Sequence, residues 1–288
     1  MTLQNKIDFA VAFRVKRANP NGDPLNGNRP RTDYENFGEV TDVCIKRKIR
    51  DRLLEKWVTE GKKEDGDMIF VQSDDRKADE CKSLRERAEA ILGNKLGSSE
   101  TVKLACSKWF DVRAFGQLFA LKAKKKSKEE GAEGDTGVSI GIRGPVTVQS
   151  AFSLAPVEIT SVQITKSVSG EGDGTKRGSD TMGMKHRVES GIYVFFGSMN
   201  PQLAERTGFS DADAEKIKNL LPRLFQNDES SARPAGSMEV LKVVWWKHNC
   251  KAGQYSSAKV HRTLTVEPGG DVKTADLEGL KPDIVSGF

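Results

Sequence analysis

The sequence predicts an α+β protein in which helices pack on an antiparallel sheet, and three patterns support this prediction. Apolar and polar residues alternate from Ile7 to Val15, which is the period of a strand with one face in a core. From Thr41 to Gly61, apolar residues return about every fourth position, as in an amphipathic helix. The second half of the chain then holds strand-like segments, at residues 138–159, 161–170, 186–199 and 238–249.

The composition is that of a soluble globular protein. Of the 288 residues, 36% are hydrophobic and 30% are charged, and the formal net charge is +5. No run of about eighteen apolar residues is present that could span a membrane, and the first residues lack the basic and apolar parts of a secretory leader. We therefore expect a cytoplasmic protein with no membrane partner.

The first strand has two different faces. Its odd positions from Ile7 to Val15 are apolar, whereas its even positions are small in the middle and end in the cations Arg14 and Lys16. A flat basic sheet face is typical of RNA-binding sheets, but a plain solvent-facing strand would look similar. The pattern leaves both interpretations open.

The helix that follows has a defined start and end and a cationic surface. Thr41 stands at the N-cap and Gly61 at the C-terminal end. Cations occupy the positions outside the apolar stripe: Lys46, Arg47, Lys48, Arg50 and Arg52. They form either an ordinary solvated surface or a phosphate-facing patch, which Arg29 and Arg31 of the preceding loop would extend.

Two further helices and a long hairpin complete the predicted elements. A charged helix at residues 78–92 should lie on the outside, and a last helix at residues 209–226 should begin with Ser210 and Asp213 in capping-box spacing. The strands around the Gly-rich segment 170–185 should form a hairpin whose tip is either flexible or an anion-binding nest.

The order of these elements bounds the fold. A strand, helices, several strands, one helix and a last strong strand pack most simply as a ferredoxin-like or RNA-recognition-type sheet with large insertions. The piece from Glu267 onward is rich in Gly and Pro and should wrap over the surface.

The chain lacks the common enzymatic motifs, which argues against a metabolic enzyme with a basic pocket for an anionic substrate. His186, His248 and His261 are expected on strands or hairpins beside cations, where a proton acceptor is disfavoured. The four cysteines form no CxxC pair and should be free and mostly buried, and a metal on His248 and Cys250 would lack a second ligand pair. We predict no catalytic residues, no cofactor and no metal.

The segment from Thr101 to Lys128 concentrates positive charge. It holds eight Lys or Arg residues against one acid, Asp111, which suits either a phosphate backbone or a solvated loop. Four of its apolar residues are expected in the core: Phe110, Phe115, Leu118 and Phe119.

Five segments, taken in order, carry a family resemblance. They are NPNGDPLNGNRPRTD, VTDVCIKRKIRDRL, WFDVRAFGQLFA, GPVTVQSAFSLAPVEI and MGMKHRVESGIYVFFGSMNP. Together they resemble the CRISPR-associated backbone subunit of the Cas-seven family, within the RAMP superfamily, and most of all its type I-C form in bacterial Cascade complexes. The resemblance covers most of residues 5–265.

The resemblance implies one modified RNA-recognition domain over residues 1–288, with a palm sheet, a finger-like insertion at 62–137 and a thumb hairpin at about 157–193. Copies of such a subunit stack helically along the spacer of one CRISPR RNA and present it for pairing with target DNA in antiviral defence. Its partners would be CRISPR RNA, target DNA, other copies of itself, and the repeat-end processing, large and small subunits of Cascade. Catalysis is not its task.

The resemblance also implies the RNA-binding residues. In the palm and its loop these are Arg14, Lys16, Arg17, Asn19, Asn21, Arg29, Arg31, Lys46, Arg47 and Arg50, where the two asparagines should mainly fix turns. Further candidates are Arg113, Gln149 and Ser150, and in the thumb Lys166, Met182, Met184, Lys185, His186 and Arg187. The two methionines suit a wedge between bases, or the packing of one subunit on the next.

A rival hypothesis within the same superfamily is a type III-like subunit that cleaves RNA with a loop aspartate. Asp23 or Asp33 could be proposed for that role. Because the segments resemble type I subunits, whose complexes recruit a separate nuclease, we favour the non-catalytic interpretation.

Overall fold

The computed structural model describes residues 1–61, 66–121, 138–165 and 182–288. Its helices are α1 (Asp42–Thr59), α2 (Leu84–Leu92), α3 (Thr101–Lys108), α4 (Phe110–Phe115), α5 (Pro201–Thr207), α6 (Asp211–Leu220) and α7 (Ser257–His261). Its first strands are β1 (Ile7–Ala18), β2 (Gly22–Asp23), β3 (Arg29–Pro30), β4 (Phe37–Val40), β5 (Gly116–Leu121), β6 (Val138–Arg143) and β7 (Val146–Val148). The remaining strands are β8 (Ala151–Pro156), β9 (Ile159–Thr165), β10 (Met182–Met199), β11 (Met238–Lys247), β12 (Leu264–Val266), β13 (Val272–Thr274) and β14 (Asp283–Ser286).

One large antiparallel sheet organises the molecule. Its strands lie in the order β14, β11, β1, β10, β8 and β4, while β7 and β9 pair with other parts of the long strand β10. Three separate two-stranded sheets join β2 with β3, β5 with β6, and β12 with β13. The combination of helices with a large antiparallel sheet confirms the prediction of an α+β fold.

The alternation in β1 places its apolar face in the main core. Phe9 and Phe13 are fully buried, and they face Gly197 and Tyr193 across the pairing with β10. A side chain at Gly197 would overlap the Phe9 ring, so glycine is required there for close packing. Helices α1 and α6 cover this face with residues such as Ile49.

One of the two interpretations of β1 predicted an open, basic second face. The structure does not have such a face along most of the strand. Its positions from Asp8 to Ala12 are buried, because the chain after β11 returns over the sheet. We call residues 255–280 the C-terminal layer; Val260 and Leu280 from this layer pack on Ala10. Only the cationic end of the strand, from Arg14 onward, reaches the surface.

Helix α1 starts as predicted and ends two residues before Gly61. The Thr41 hydroxyl accepts a hydrogen bond from the backbone of Cys44, which makes it the N-cap. Its charged surface differs from the expectation: Lys48 and Arg52 are buried, and Lys48 is ion-paired with Asp228.

Residues 66–121 build a second, smaller core with β6. Trp109 stacks obliquely on Phe70 and Phe119, and all three rings are buried. Leu118 was expected in the core but is 59% exposed, because it lies on a strand and alternates with the buried Phe119.

The outer helix of this region is shorter than predicted and partly buried. The helix was predicted at residues 78–92, but only α2, Leu84–Leu92, is helical. Ala88 and Leu92 on one side of α2 pack in the second core. Helix α6 begins as predicted, with a complete capping box between Ser210 and Asp213. None of the helices in the described ranges is both long and apolar enough to cross a lipid bilayer.

Two predictions about polar side chains were wrong. His261 lies in the short helix α7 rather than on a strand. The cysteines are free, but Cys106 alone is buried, while Cys44 and Cys81 are half-buried and Cys250 is exposed.

Candidate nucleic-acid interface

The long loop between β1 and α1 is shaped by its asparagines. The Asn19 side-chain amide donates a hydrogen bond to the carbonyl of Asn28 at 2.7 Å. The Asn21 side-chain oxygen accepts from both the backbone and the hydroxyl of Thr41, each at 3.0 Å. Both side chains therefore tie the loop together, as expected of turn-fixing residues.

The two aspartates of this loop also hold its backbone. Asp23 accepts a hydrogen bond from the backbone of Leu25 and pairs with Arg31 at 3.2 Å. Asp33 accepts from the backbone N–H groups of two residues, Glu35 at 3.0 Å and Phe37 at 2.9 Å. These carboxylates act as turn caps, which is a common use of Asp in loops.

A group of exposed or half-exposed cations lies around the end of β1. We call it the cationic rim, and its members are Lys16, Arg17, Arg29, Arg31, Lys185 and Arg187. Arg17 and Arg187 share one partner, Glu189, at 3.6 and 2.9 Å. Strand β3, which carries Arg29, contacts β10 in the same region.

Within the described residues, no carboxylate pairs with Lys16, Arg29 or Lys185. The Glu189 carboxyl, by contrast, is engaged: hydrogen bonds from Thr160 and Arg187 hold its pKa below the usual range. The rim therefore carries a surplus of positive charge that is open to an anionic ligand.

Arg14 is less available than its neighbours on β1. Its guanidinium donates to Glu239 at 2.6 Å and to the carbonyl of Gly269 at 3.3 Å. It therefore connects β1 to β11 and to the C-terminal layer, although it remains partly exposed.

The cations of α1 divide into available and unavailable ones. Lys46 pairs with Asp42, and Arg47 with Asp51, along the helix surface. The partly exposed Lys46–Asp42 pair contributes little and exchanges readily for other anions. Arg47 is held more firmly, because the carboxylate of Asp51 is buried. Arg50 differs, because its side chain is 13% exposed and pairs with the buried Asp111 at 3.0 Å.

The side chain of Arg113, predicted as an RNA contact, is buried and bonded within the protein. Its guanidinium donates two hydrogen bonds to Asp213, at 3.0 and 2.9 Å, and further bonds to the carbonyls of Gly66 and Cys106. A buried, bidentate arginine of this kind fixes one element on another. Arg113 joins α4 to α6, and Arg50 joins α1 to α4, so both guanidinium groups are engaged within the fold and not open to a phosphate.

The strand edge at Gln149 and Ser150 lies next to the start of α1. The Ser150 hydroxyl accepts a hydrogen bond from the backbone of Asp42 at 3.3 Å, so it helps cap this helix. Gln149 is exposed, and its backbone N–H donates to the carbonyl of Phe196. Of the two, Gln149 keeps a side chain open to a ligand.

The hairpin of β9 and β10 separates the predicted thumb residues by face. Pairing aligns Met182 with Thr165, Met184 with Gln163 and His186 with Ser161. Because alternate residues of a strand point to the same side, these three β10 residues lie on one face. Lys185 and Arg187 lie on the other side, and Lys166 lies outside the described residues.

Comparison with known proteins identifies the family. A family model described as CRISPR-associated protein Cas7 matches residues 5–280. The chain belongs to the Cas7 family. It is similar to the CRISPR-associated protein Cas7 of Haloferax volcanii, with 28% identity over 306 residues that cover 99% of this chain and 81% of that protein.

Solved structures similar to this Cas7 chain come from CRISPR RNA-guided surveillance complexes. One, in a pre-nicking state, has a TM-score of 0.47 and 16% identity, and the match covers 84% of this chain and 75% of that chain. A second has a TM-score of 0.42 and 16% identity, covering 84% of this chain and 68% of that one.

Sequence reasoning missed a buried polar cluster in this Cas7 chain. Asp8 is fully buried and bonded to His248 at 2.9 Å, and Lys6 lies 3.3 Å from the same carboxylate. Burial alone would raise the pKa of Asp8, but hydrogen bonds from His248 and Ser257 outweigh it and hold the pKa below 3.8. The only sequence signal was a carboxylate among the apolar and small residues of β1.

His261 completes this cluster from the C-terminal layer. Its ring stacks on Phe196, with centroids 4.7 Å apart, and its Nε2 lies 3.6 Å from Asp8. Burial lowers the pKa of His261 below 6.5, although the charge of Asp8 opposes this shift. The cluster lies between the sheet and the C-terminal layer and joins them.

Proposed function

We propose that this Cas7 chain is the non-catalytic backbone subunit that binds CRISPR RNA in a type I-C Cascade complex. Copies of the chain line up helically along the spacer and present it for pairing with target DNA in antiviral defence. Its other partners are the repeat-end processing, large and small subunits, in the cytoplasm. Membership of the Cas7 family, matched over residues 5–280, supports this proposal.

The observation that carries the proposal is the cationic rim. Strands β1, β3 and β10 each contribute to it, and Glu189 links Arg17 to Arg187 within it. Cations that reach phosphates release counterions, which favours binding to any RNA sequence. A protein that holds the backbone in this way leaves sequence reading to base pairing.

The strand order supports an RNA-recognition-type palm. Strands β11, β1, β10 and β8 are neighbours in that order, with α1 following β1 and α6 preceding β11. This is the arrangement of a ferredoxin-like βαββαβ sheet. We assign the second core at residues 66–121 to the finger-like insertion 62–137, and the pairing of β9 with β10 to the thumb at about 157–193.

The hairpin's two faces suggest two different contacts. The face with Lys185 and Arg187 carries these two cations of the rim, and Arg187 shares Glu189 with Arg17. The opposite face carries Met182 and Met184, which are 61% and 55% exposed. An apolar face of this kind suits a wedge between bases or the packing of a second copy.

The contacts of the loop aspartates argue against the RNA-cleaving rival. A catalytic loop aspartate must be free to bind a metal ion or to activate water. Asp23 and Asp33 instead accept hydrogen bonds from backbone N–H groups of their own turns, and Asp23 also pairs with Arg31.

Replacing Lys16 and Arg29 by alanine together tests the proposal. We expect guide-length RNA to bind more weakly whatever its sequence, and the slope of log affinity against log salt to fall by about 1.4 for two lost single-strand phosphate contacts. Filter binding at several salt concentrations measures both quantities.

The matched control replaces Lys82 and Arg85, which are exposed cations on and beside α2. It should leave RNA affinity unchanged, because it removes equal charge at a distance from the rim. Failure of the unmodified protein to bind RNA would contradict the function, whereas equal binding by the Lys16→Ala, Arg29→Ala variant would contradict only the assignment of the rim.

A further inference from the structure

A cleft of about 310 Å³ lies on the helical side of the sheet, and no residue of the cationic rim lines it. It runs between the C-terminal half of α1 and the end of α6. Leu53 and Leu220 give it apolar walls, while Arg52, Lys56 and Arg223 give it positive charge. Glu55 is the one acid among the described residues that line it.

Arg52 is the unusual member of this cleft. Its side chain is 7% exposed, and its Nη1 donates to Glu55. Its Nη2 is buried with no hydrogen-bond partner among the described residues. Burial lowers the pKa of Arg52 below its ordinary value, although Glu55 opposes this. A buried guanidinium nitrogen without an acceptor is costly, and such groups usually have a partner.

We infer that this cleft binds a peptide segment of a partner protein, in which an acidic side chain stands next to an apolar one. The partner's carboxylate pairs with the guanidinium of Arg52, and Lys56 and Arg223 add to its attraction. The apolar side chain packs on Leu53 and Leu220. The inference does not depend on RNA binding at the cationic rim.

The shape of the cleft favours a peptide over nucleic acid. Single-stranded nucleic acid is usually held by aromatic side chains on which bases stack, along a continuous track of cations. None of the described residues that line the cleft is aromatic, and Glu55 interrupts its positive charge. A compact pocket with apolar walls and a buried guanidinium nitrogen that lacks an acceptor matches a short peptide anchor.

Selection from a phage-displayed library of random linear peptides tests this inference on the full-length protein. We expect the enriched peptides to carry Asp or Glu beside Leu, Ile, Val or Met. Synthetic versions should bind at least about tenfold more weakly to the Arg52→Met variant, which loses a charge-assisted hydrogen bond. Arg85→Met removes the same charge from the exposed surface of α2 and should bind as the unmodified protein does.

Arg223→Gln serves as a second variant, because Arg223 is exposed and its replacement leaves the core intact. Arg223→Gln should bind the same peptides more weakly than the unmodified protein does. A labelled oligouridylate should bind Arg52→Met as well as it binds the unmodified protein. The inference is wrong if no acidic peptides are enriched, if they bind all variants equally, or if Arg52→Met loses oligouridylate binding instead.

Discussion

Individual ion pairs decide which of the predicted RNA contacts remain candidates. Arg50 and Arg113 have the charge of phosphate-binding residues, but their partners Asp111 and Asp213 lie up to 100 residues away in the chain. A sequence pattern shows the cation and not the distant acid that neutralises it. The rim cations Lys16 and Arg29 were also proposed from their charge alone. Unlike Arg50 and Arg113, they have no acidic partner among the described residues.

Gly197 provides a test of the packing between β1 and β10. In Gly197→Ala the new methyl group meets the ring of Phe9, so we expect a loss of about 1–3 kcal/mol in the free energy of unfolding. Urea denaturation measures this loss. Gly269→Ala is the control, since its methyl group enters open space, and equal stability of both variants would contradict the packing described here.

His261 makes stability depend on pH in a defined window. Because its pKa is lower in the folded protein than the ordinary 6.5, the unfolded chain binds the proton more readily below that pH. The free energy of unfolding should therefore be smaller at about pH 5.5 than at about pH 7.5. The lowered pKa of Asp8 changes stability only below about pH 3.8, so it does not affect the comparison between about pH 5.5 and about pH 7.5.

Urea titrations of the unmodified protein and of His261→Gln at both pH values measure this dependence. The variant lacks the titrating ring, so its stability should change less between the two conditions. An equal change in both proteins would assign the pH dependence to other groups.

Whole elements were easier to predict than their surroundings. The alternation of β1, the N-cap of α1 and the capping box of α6 are local signals, and the structure contains all three. The covering of the second face of β1 could not be predicted, because a strand with small residues such as Ala10 fits either solvent or a tightly packed second layer.

The two faces of the hairpin should have separable effects. The double variant Lys185→Ala, Arg187→Ala should bind RNA more weakly and with a smaller salt dependence, because it loses two cations of the rim. Met182→Ala with Met184→Ala should leave the salt dependence unchanged and instead reduce either the bending of RNA or the association of copies.

Filter binding, together with electron microscopy of the assembled filament, distinguishes these effects. Assemblies that keep their length but bend the RNA less would identify the methionines as a wedge. Shorter filaments with normal RNA affinity would identify them as packing residues. If the salt dependence of RNA binding fell equally in both double variants, the division of the hairpin into two faces would be wrong.

At the scale of the whole molecule, family and fold class could be predicted, whereas the arrangement of layers could not. The quoted segments span the loop between β1 and α1, then α1, α4 and β10, which is why the resemblance extends along most of the chain. The buried cluster of Asp8, His248 and His261 joins residues about 250 positions apart. Long-range contacts of this kind depend on how the C-terminal layer folds back, which local patterns do not encode.

The central claim is that copies of this chain assemble on CRISPR RNA, and the most direct test is the nucleic acid that the protein carries. We expect the protein co-expressed with a CRISPR array and the other complex subunits to purify with RNA of guide length, seen by sequencing and by a high ratio of absorbance at 260 to 280 nm. Purification as nucleic-acid-free monomers under the same conditions would contradict it.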